Sequence, residues 1–251
     1  MKIKHVHGNF KIFIIKFFSK LLSRILFLFF KIVCPNVDYK SNDILISRAT
    51  FAPWMVDKNY LAYANKVKKL TLLDHPRLFS FYYLSNQIKN IEADILDIGC
   101  MEGGVGLLLS QNNKKGRTLL FDTFNGFLDK ENLHKGEVFK YDGLKDVNTT
   151  IIKLKLHNTF VYKKFFPKNI SHLKIKKIKL CHIDVNTYKS TKNCFNFVKD
   201  KIIKNGFIIF DDYGIYGVEN VTKLINRITK KEGKNFNIFF NYFGQCILVK
   251  K

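Results

Sequence analysis

Short, almost wholly apolar runs recur along most of this chain, separated by stretches whose apolar residues return with helical period. Residues 95–98, 118–121, 160–162, 178–183, 207–210, 237–242 and 246–249 read as strands. Runs without polar alternation predict strands buried on both faces, as in a mostly parallel sheet covered by helices. Residues 57–68 and 76–89 read as helices that form a cap or entry region ahead of the sheet. Helical stretches separate most later strands, but the last two strands follow each other closely, so the final one is expected to run antiparallel. Residues 122–148 are polar and glycine-punctuated and read as an irregular cover. The result is an α/β architecture with a seven-stranded sheet and helices on both faces.

The first 35 residues follow another pattern. Lys16, Lys20 and Arg24 recur every fourth residue, and the longest uncharged run, 25–30, is six residues. A spanning helix needs about 20. On a helix the basic residues share one face, while Phe18, Leu21, Leu22, Ile25 and Phe29 share another. That is the pattern of an interfacial helix on anionic lipid, with packing on a partner subunit or on the domain as the competing reading. Residues 10–32 would make the membrane contact. No small-residue cleavage site follows, which argues against a secretory signal. The chain therefore divides into a basic amphipathic extension, 1–44, and a main domain, 45–251, whose helical cap covers about 45–92.

Composition changes this picture in two places. The formal net charge is +23, and residues 1–35 and 151–180 hold seven and nine Lys/Arg with no acid. The apolar strands instead end in carboxylates, and no two of the four prolines are adjacent as a flipped-base motif would require. Nucleic acid is disfavoured as a partner. Abundant Lys, Asn, Ile and Phe also fit an AT-rich genome, and a polyanionic or lipid-linked glycan is an intermediate reading. The five cysteines form no CxxC pair, which argues against structural zinc or a disulfide framework. A reducing, cytoplasmic setting is expected, with peripheral membrane association through the extension.

The chemistry sits at the strand ends. Asp211 and Asp212 close the run 207–210, 27 residues after Asp184 closes 178–183. Strands of one parallel sheet deliver these acids to the same carboxyl edge, where open α/β folds place ligands. Three convergent carboxylates repel unless protons or a cation neutralise them, and oxygen donors of this kind suit magnesium. Upstream, a strand runs through Asp97 and Gly99 into a turn with Gly103 and Gly104, and Asp122 follows Gly99 by 23 residues. The spacing suits a ribose-gripping acid, yet the turn lacks both the dinucleotide fingerprint and a phosphate loop. S-adenosylmethionine, with no phosphate to cradle, fits best.

On these motifs the chain resembles the class I, Rossmann-like S-adenosylmethionine-dependent methyltransferases, and within them the macrocin O-methyltransferase (TylF/MycF-like) family. The likeness covers about residues 45–250 and includes 51–57, 97–104, 121–127, 165–167, 182–191, 210–214 and 244–245. It implies a magnesium-dependent transfer of a methyl group to a sugar or glycan hydroxyl. The implied metal ligands are Asp184, Asp211 and Asp212, with Asp184 also the catalytic base. Cofactor contacts are expected from Asp97, Gly99, Glu102, Gly103, Gly104, Asp122, Thr123, Phe124 and Phe166. Gln245 and His134 are candidate substrate contacts, and a homo-oligomer is a candidate assembly.

The chain departs from the family pattern at Lys164, Asn186 and Lys189, where a glycine and two acids are usual. These changes alter the charge around the pocket. His182 reads as a packed core histidine rather than a site residue. Two other functions stay open: transfer to a small phenol or amine, as in catechol-type enzymes, and a degenerate, non-catalytic membrane-associated protein.

Overall fold

The computed structural model describes residues 52–126, 143–215 and 218–251, with scattered positions between 17 and 32. These fall into two compact units, one running up to Val56 and including Asp74–Pro76, the other formed by Asp57–Leu73 and Arg77–Lys251. In the first unit, the described positions from 17 to 32 are helical, and Pro53–Met55 form a 3-10 turn.

The second unit is built on seven strands: β1 (Asp94–Ile98), β2 (Thr118–Asp122), β3 (Thr159–Lys163), β4 (Ile178–Ile183), β5 (Ile202–Phe210), β6 (Phe236–Phe240) and β7 (Cys246–Lys250). They lie in the order β3-β2-β1-β4-β5-β7-β6. The first five are parallel, and β7 runs antiparallel to both β5 and β6. Every residue of β1 and β4 is buried, as expected of central strands covered on both faces. The chain moves outward from β1 in one direction and from β4 in the other, so the crevice between their carboxyl ends is the topological switch point.

The helices are α1 (Lys58–Val67), α2 (His75–Gln87), α3 (Gly104–Asn112), α4 (Leu144–Lys153), α5 (Tyr188–Val198) and α6 (Glu219–Glu232). Their ends carry local signals. The Asp57 side chain accepts from Tyr60 N–H to start α1, and Thr187 accepts from Ser190 N–H to start α5. Helix α6 buries Val221, Leu224, Ile225 and Ile228, one stripe at helical spacing. They join Cys194, Phe195 and Val198 of α5 and Leu96, Cys181, Ile208 and Leu248 of the sheet in a continuous core. Each such side chain contributes about 1.5–3 kcal/mol on burial.

The element pattern follows the expected one with three differences. Residues from Leu144 form α4 rather than irregular cover, because Val147 and Ile151 supply a buried helical face within a polar stretch. Strand β5 begins at Ile202, earlier than its apolar run, with Asn205 in a left-handed conformation at φ 60°. Strand β6 ends at Phe240, since Asn241 accepts from the backbone N–H groups of Phe243 and Gln245 and closes the turn into β7.

One buried residue is unexpected in so apolar a strand. Lys179 of β4 is 0% exposed, and its ammonium donates to the carbonyls of Ile91 and Lys115, each at 2.7 Å. Beside it, Arg117 makes a two-point contact with Asp94, at 3.0 and 2.6 Å, and donates to the Leu173 carbonyl. These charges tie the loops at the amino edge of the sheet together, opposite the switch point.

Candidate active site

The turn after β1 is shaped by what surrounds it. Gly99 has φ 88°, donates to the Phe121 carbonyl, and a Cβ there would lie 1.8 Å from the Asp184 carbonyl oxygen. Only glycine lets β1 leave the sheet so close to the end of β4. Gly104 plays a different part, since a Cβ there would meet the Leu70 carbonyl at 2.6 Å. Its role is close packing of α3 against the 3-10 turn Lys68–Leu70.

Below this turn opens a cavity of about 140 Å³. Its apolar wall includes Leu72, Val105, Phe121, Phe166 and Val185, and its acidic groups are Asp97, Asp122 and Asp184. Asp122, at the end of β2, accepts from Met101 N–H and Phe124 N–H, both at 2.8 Å. These bonds fix the carboxylate and leave its remaining lone pairs for a ligand. Burial raises the Asp122 pKa, against the pull of those backbone donors. Phe166 packs on Phe121, whose ring stacks on Tyr162.

Charge concentrates where β4 and β5 end. His182 is 1% exposed, with Nδ1 2.7 Å from Asp97 Oδ1 and Nε2 3.8 Å from Asp211 Oδ2. The ring of Phe81 lies edge-on against it at 4.6 Å. Burial opposes charge on His182, but the Asp211 and Asp97 carboxylates prevail and raise its pKa to about 10. Arg77 of α2 lies 3.3 Å from Asp211 Oδ1. Burial would push Asp211 up, yet His182 and Arg77 hold it below the usual carboxylate range. Asp184 goes the other way: burial, then the charges of Asp212 and Asp211, hold it well above that range. Divergent proton affinities in adjacent carboxyls are a mark of acid–base sites. With its amide turned to donate, Asn186 bridges Asp184, at 3.1 Å, and Asp212.

Of the three expected metal-ligand acids, Asp184 and Asp211 cluster with His182 rather than with Asp212, which Asn186 links to Asp184, and only Asp184 lines the cavity. Ligand atoms of His182, Asp184 and Asp211 lie within 4.8 Å of one another, a spacing that a single cation could bridge. Among the described residues Asp211 Oδ2 and His182 Nε2 have no hydrogen-bond partner, which costs free energy unless a ligand supplies one. The carboxylate oxygens of Asp184 and Asp211 fit a divalent cation, whereas His182 would have to lose its proton to join them. Of the expected cofactor contacts, Asp97, Gly99, Asp122, Thr123 and Phe166 line the cavity. Glu102, Gly103, Gly104 and Phe124 lie outside its lining; Gly103 packs near Val147, and Phe124 is buried. Gln245 is fully buried in the β6–β7 turn and accepts from Asn241 at 2.6 Å. His134 lies outside the described residues.

His182 is buried, as the packed-core reading expected, and its ring also forms part of the cavity wall. Its place two residues before Asp184 on one strand puts both on the same face, the available signal. The segment Leu70–Leu73 also lines the cavity without any sequence signal of its own, and Phe165, Thr187 and Ser190 join it from the motifs 165–167 and 182–191. Lys164 stands exposed on that lining.

Residues 69–235, which hold every side chain that lines this cavity, match the model of the macrocin-O-methyltransferase (TylF) family. The chain belongs to this family. It is accordingly a methyltransferase, and its sheet has the order of the class I enzymes. The O-methyltransferase NovP superposes with a TM-score of 0.64 at 14% identity, over 72% of this chain and 82% of that one. An O-methyltransferase from Bacillus cereus, in complex with SAH, gives 0.56 at 14%, over 77% and 90%. The calicheamicin methyltransferase CalS11 gives 0.55 at 14%, over 77% and 93%. At these identities the likeness is one of fold. A search of curated protein sequences finds no match. No helix among the described residues is long and apolar enough to cross a membrane.

Proposed function

We propose that this TylF-family methyltransferase moves the methyl group of S-adenosylmethionine to a hydroxyl of a sugar or glycosylated acceptor, with a divalent cation, magnesium, at its acidic cluster. The observation that carries the reading is that one cavity joins the Gly99 turn and Asp122 to Asp184. Acceptors at one end suit a ribose diol, apolar rings at the side suit an adenine, and carboxylates suit a sulfonium and an ammonium. The family's name and that of CalS11, described as a TDP-rhamnose 3'-O-methyltransferase, favour a sugar over a phenol or amine.

A sugar hydroxyl is a weak nucleophile at neutral pH, so the site must accept its proton as the new C–O bond forms. Asp184 would take it, since it alone of Asp184, Asp211 and Asp212 lines the cavity. Asp184, Asp211 and Asp212 would hold the cation, which would supply Lewis acidity toward the acceptor hydroxyl. Asn186 ties Asp184 to Asp212, and His182 ties Asp97 to the same cluster. Holding two substrates in line can contribute about 7 kcal/mol of barrier reduction.

Calorimetric titration of S-adenosylmethionine, followed by transfer assays on sugar nucleotides and glycolipids with magnesium or EDTA, tests the reading. Binding with magnesium-dependent transfer is expected. Binding with transfer only to phenols or amines would reassign the acceptor, transfer unaffected by EDTA would remove the cation, and no binding would end the cofactor assignment.

A further inference from the structure

The helical positions near the amino terminus present apolar side chains that no fold of a lone domain explains. Phe17, Phe18, Leu21, Leu22, Ile25 and Leu28 are each between 43% and 62% exposed. On a helical projection these six fall within an arc of about 140°. Exposed apolar residues scattered singly are ordinary, but six on one continuous arc mark a surface that something covers. The sequence positions of Lys16, Lys20, Arg24 and Lys31 project onto an adjoining arc of about 80°. Residues 1–35 as a whole hold seven Lys/Arg and no acid.

We infer that this face docks on an anionic lipid surface, with its apolar arc at the headgroup boundary and its basic arc on lipid phosphates. Charge decides between the candidate occupants. A second copy of the same segment would bring like charges together, because the segment holds no acid to oppose them. A bilayer with anionic headgroups offers both apolar depth and negative charge, the two components of interfacial helix binding. This inference is independent of the acceptor and would place a methyltransferase at the surface where lipid-linked substrates reside.

Sedimentation of the full-length protein with vesicles tests it. Phosphatidylcholine vesicles containing phosphatidylglycerol should pellet the protein, and pure phosphatidylcholine should not. Added salt should weaken the binding. The double variants Leu22→Glu with Ile25→Glu, and Lys20→Glu with Arg24→Glu, should each lower partitioning at least about tenfold, since each basic residue contributes roughly a fivefold change. Their thermal midpoints and cofactor binding should be unchanged. Absence of binding to anionic vesicles, equal binding to both vesicle types, or binding insensitive to both variants would overturn the inference. So would a dimer in light scattering that the Leu22→Glu/Ile25→Glu variant dissociates.

Discussion

The two edges of the central sheet treat buried charge in opposite ways. At the amino edge, Lys179 spends its ammonium on the carbonyls of Ile91 and Lys115, and Arg117 meets both oxygens of Asp94. At the carboxyl edge, Asp184, Asp211 and Asp212 converge with a raised and a lowered proton affinity side by side, and Asp211 Oδ2 and His182 Nε2, 3.8 Å apart, have no hydrogen-bond partner among the described residues. The strands are shared, so sequence context within a strand does not distinguish the two. What differs is completion: paired charges fix loops, while incompletely paired ones hold free energy that a ligand can release. One edge stabilises the fold and the other is kept reactive at some cost to stability.

The comparison breaks most directly at Asp184. Asp184→Ala should lower kcat by about 10²–10⁴-fold through loss of the base, while relief of like-charge repulsion leaves the thermal midpoint equal or higher. A marked drop in midpoint would make Asp184 a structural residue instead. Asp122→Ala should weaken S-adenosylmethionine binding about 10- to 100-fold by calorimetry, the loss of two charge-assisted hydrogen bonds to a diol.

The amino edge should answer in the reverse sense. Lys179→Met is expected to cost about 2–3 kcal/mol in urea unfolding, because buried carbonyls lose their donor, with kcat and cofactor affinity unchanged. A loss of activity without a loss of stability would erase the contrast. The smallest effect is one of pH. Burial lowers the Lys179 pKa from 10.5 to about 8, so the folded state binds fewer protons than the unfolded state between those values. Stability should therefore gain from this residue as pH rises from about 8 toward 10.5, and lose that gain as pH falls. Midpoints measured across that window should show the slope in the native protein and a flatter one in Lys179→Met.

Several features were readable without coordinates because they are local. Apolar runs ending in acids gave the strands and the edge at which Asp97, Asp122, Asp184 and Asp211 emerge, since parallel strands must share direction. The motifs from 97 to 104 and 182 to 214 carried the family, which the match over 69–235 shows.

Other features depend on residues distant in the chain. That Gly99 admits the β1 turn past β4, while Gly104 serves packing against Leu70, follows from which backbone lies within 3 Å of each. His182 joins the site because Asp97, 85 residues earlier, accepts its Nδ1 contact. Lys179 is tolerable in a buried strand only because loops at Ile91 and Lys115 bring carbonyls to it. Sequence by itself determined the sheet and the acidic edge, since periodicity and strand direction are properties of neighbours along the chain, and its short motifs carried the resemblance to the family. Tertiary structure decided which acids face the cavity, which glycines merely pack and which histidine takes part, because those depend on distances that close only when β1, β2, β4 and β5 are assembled.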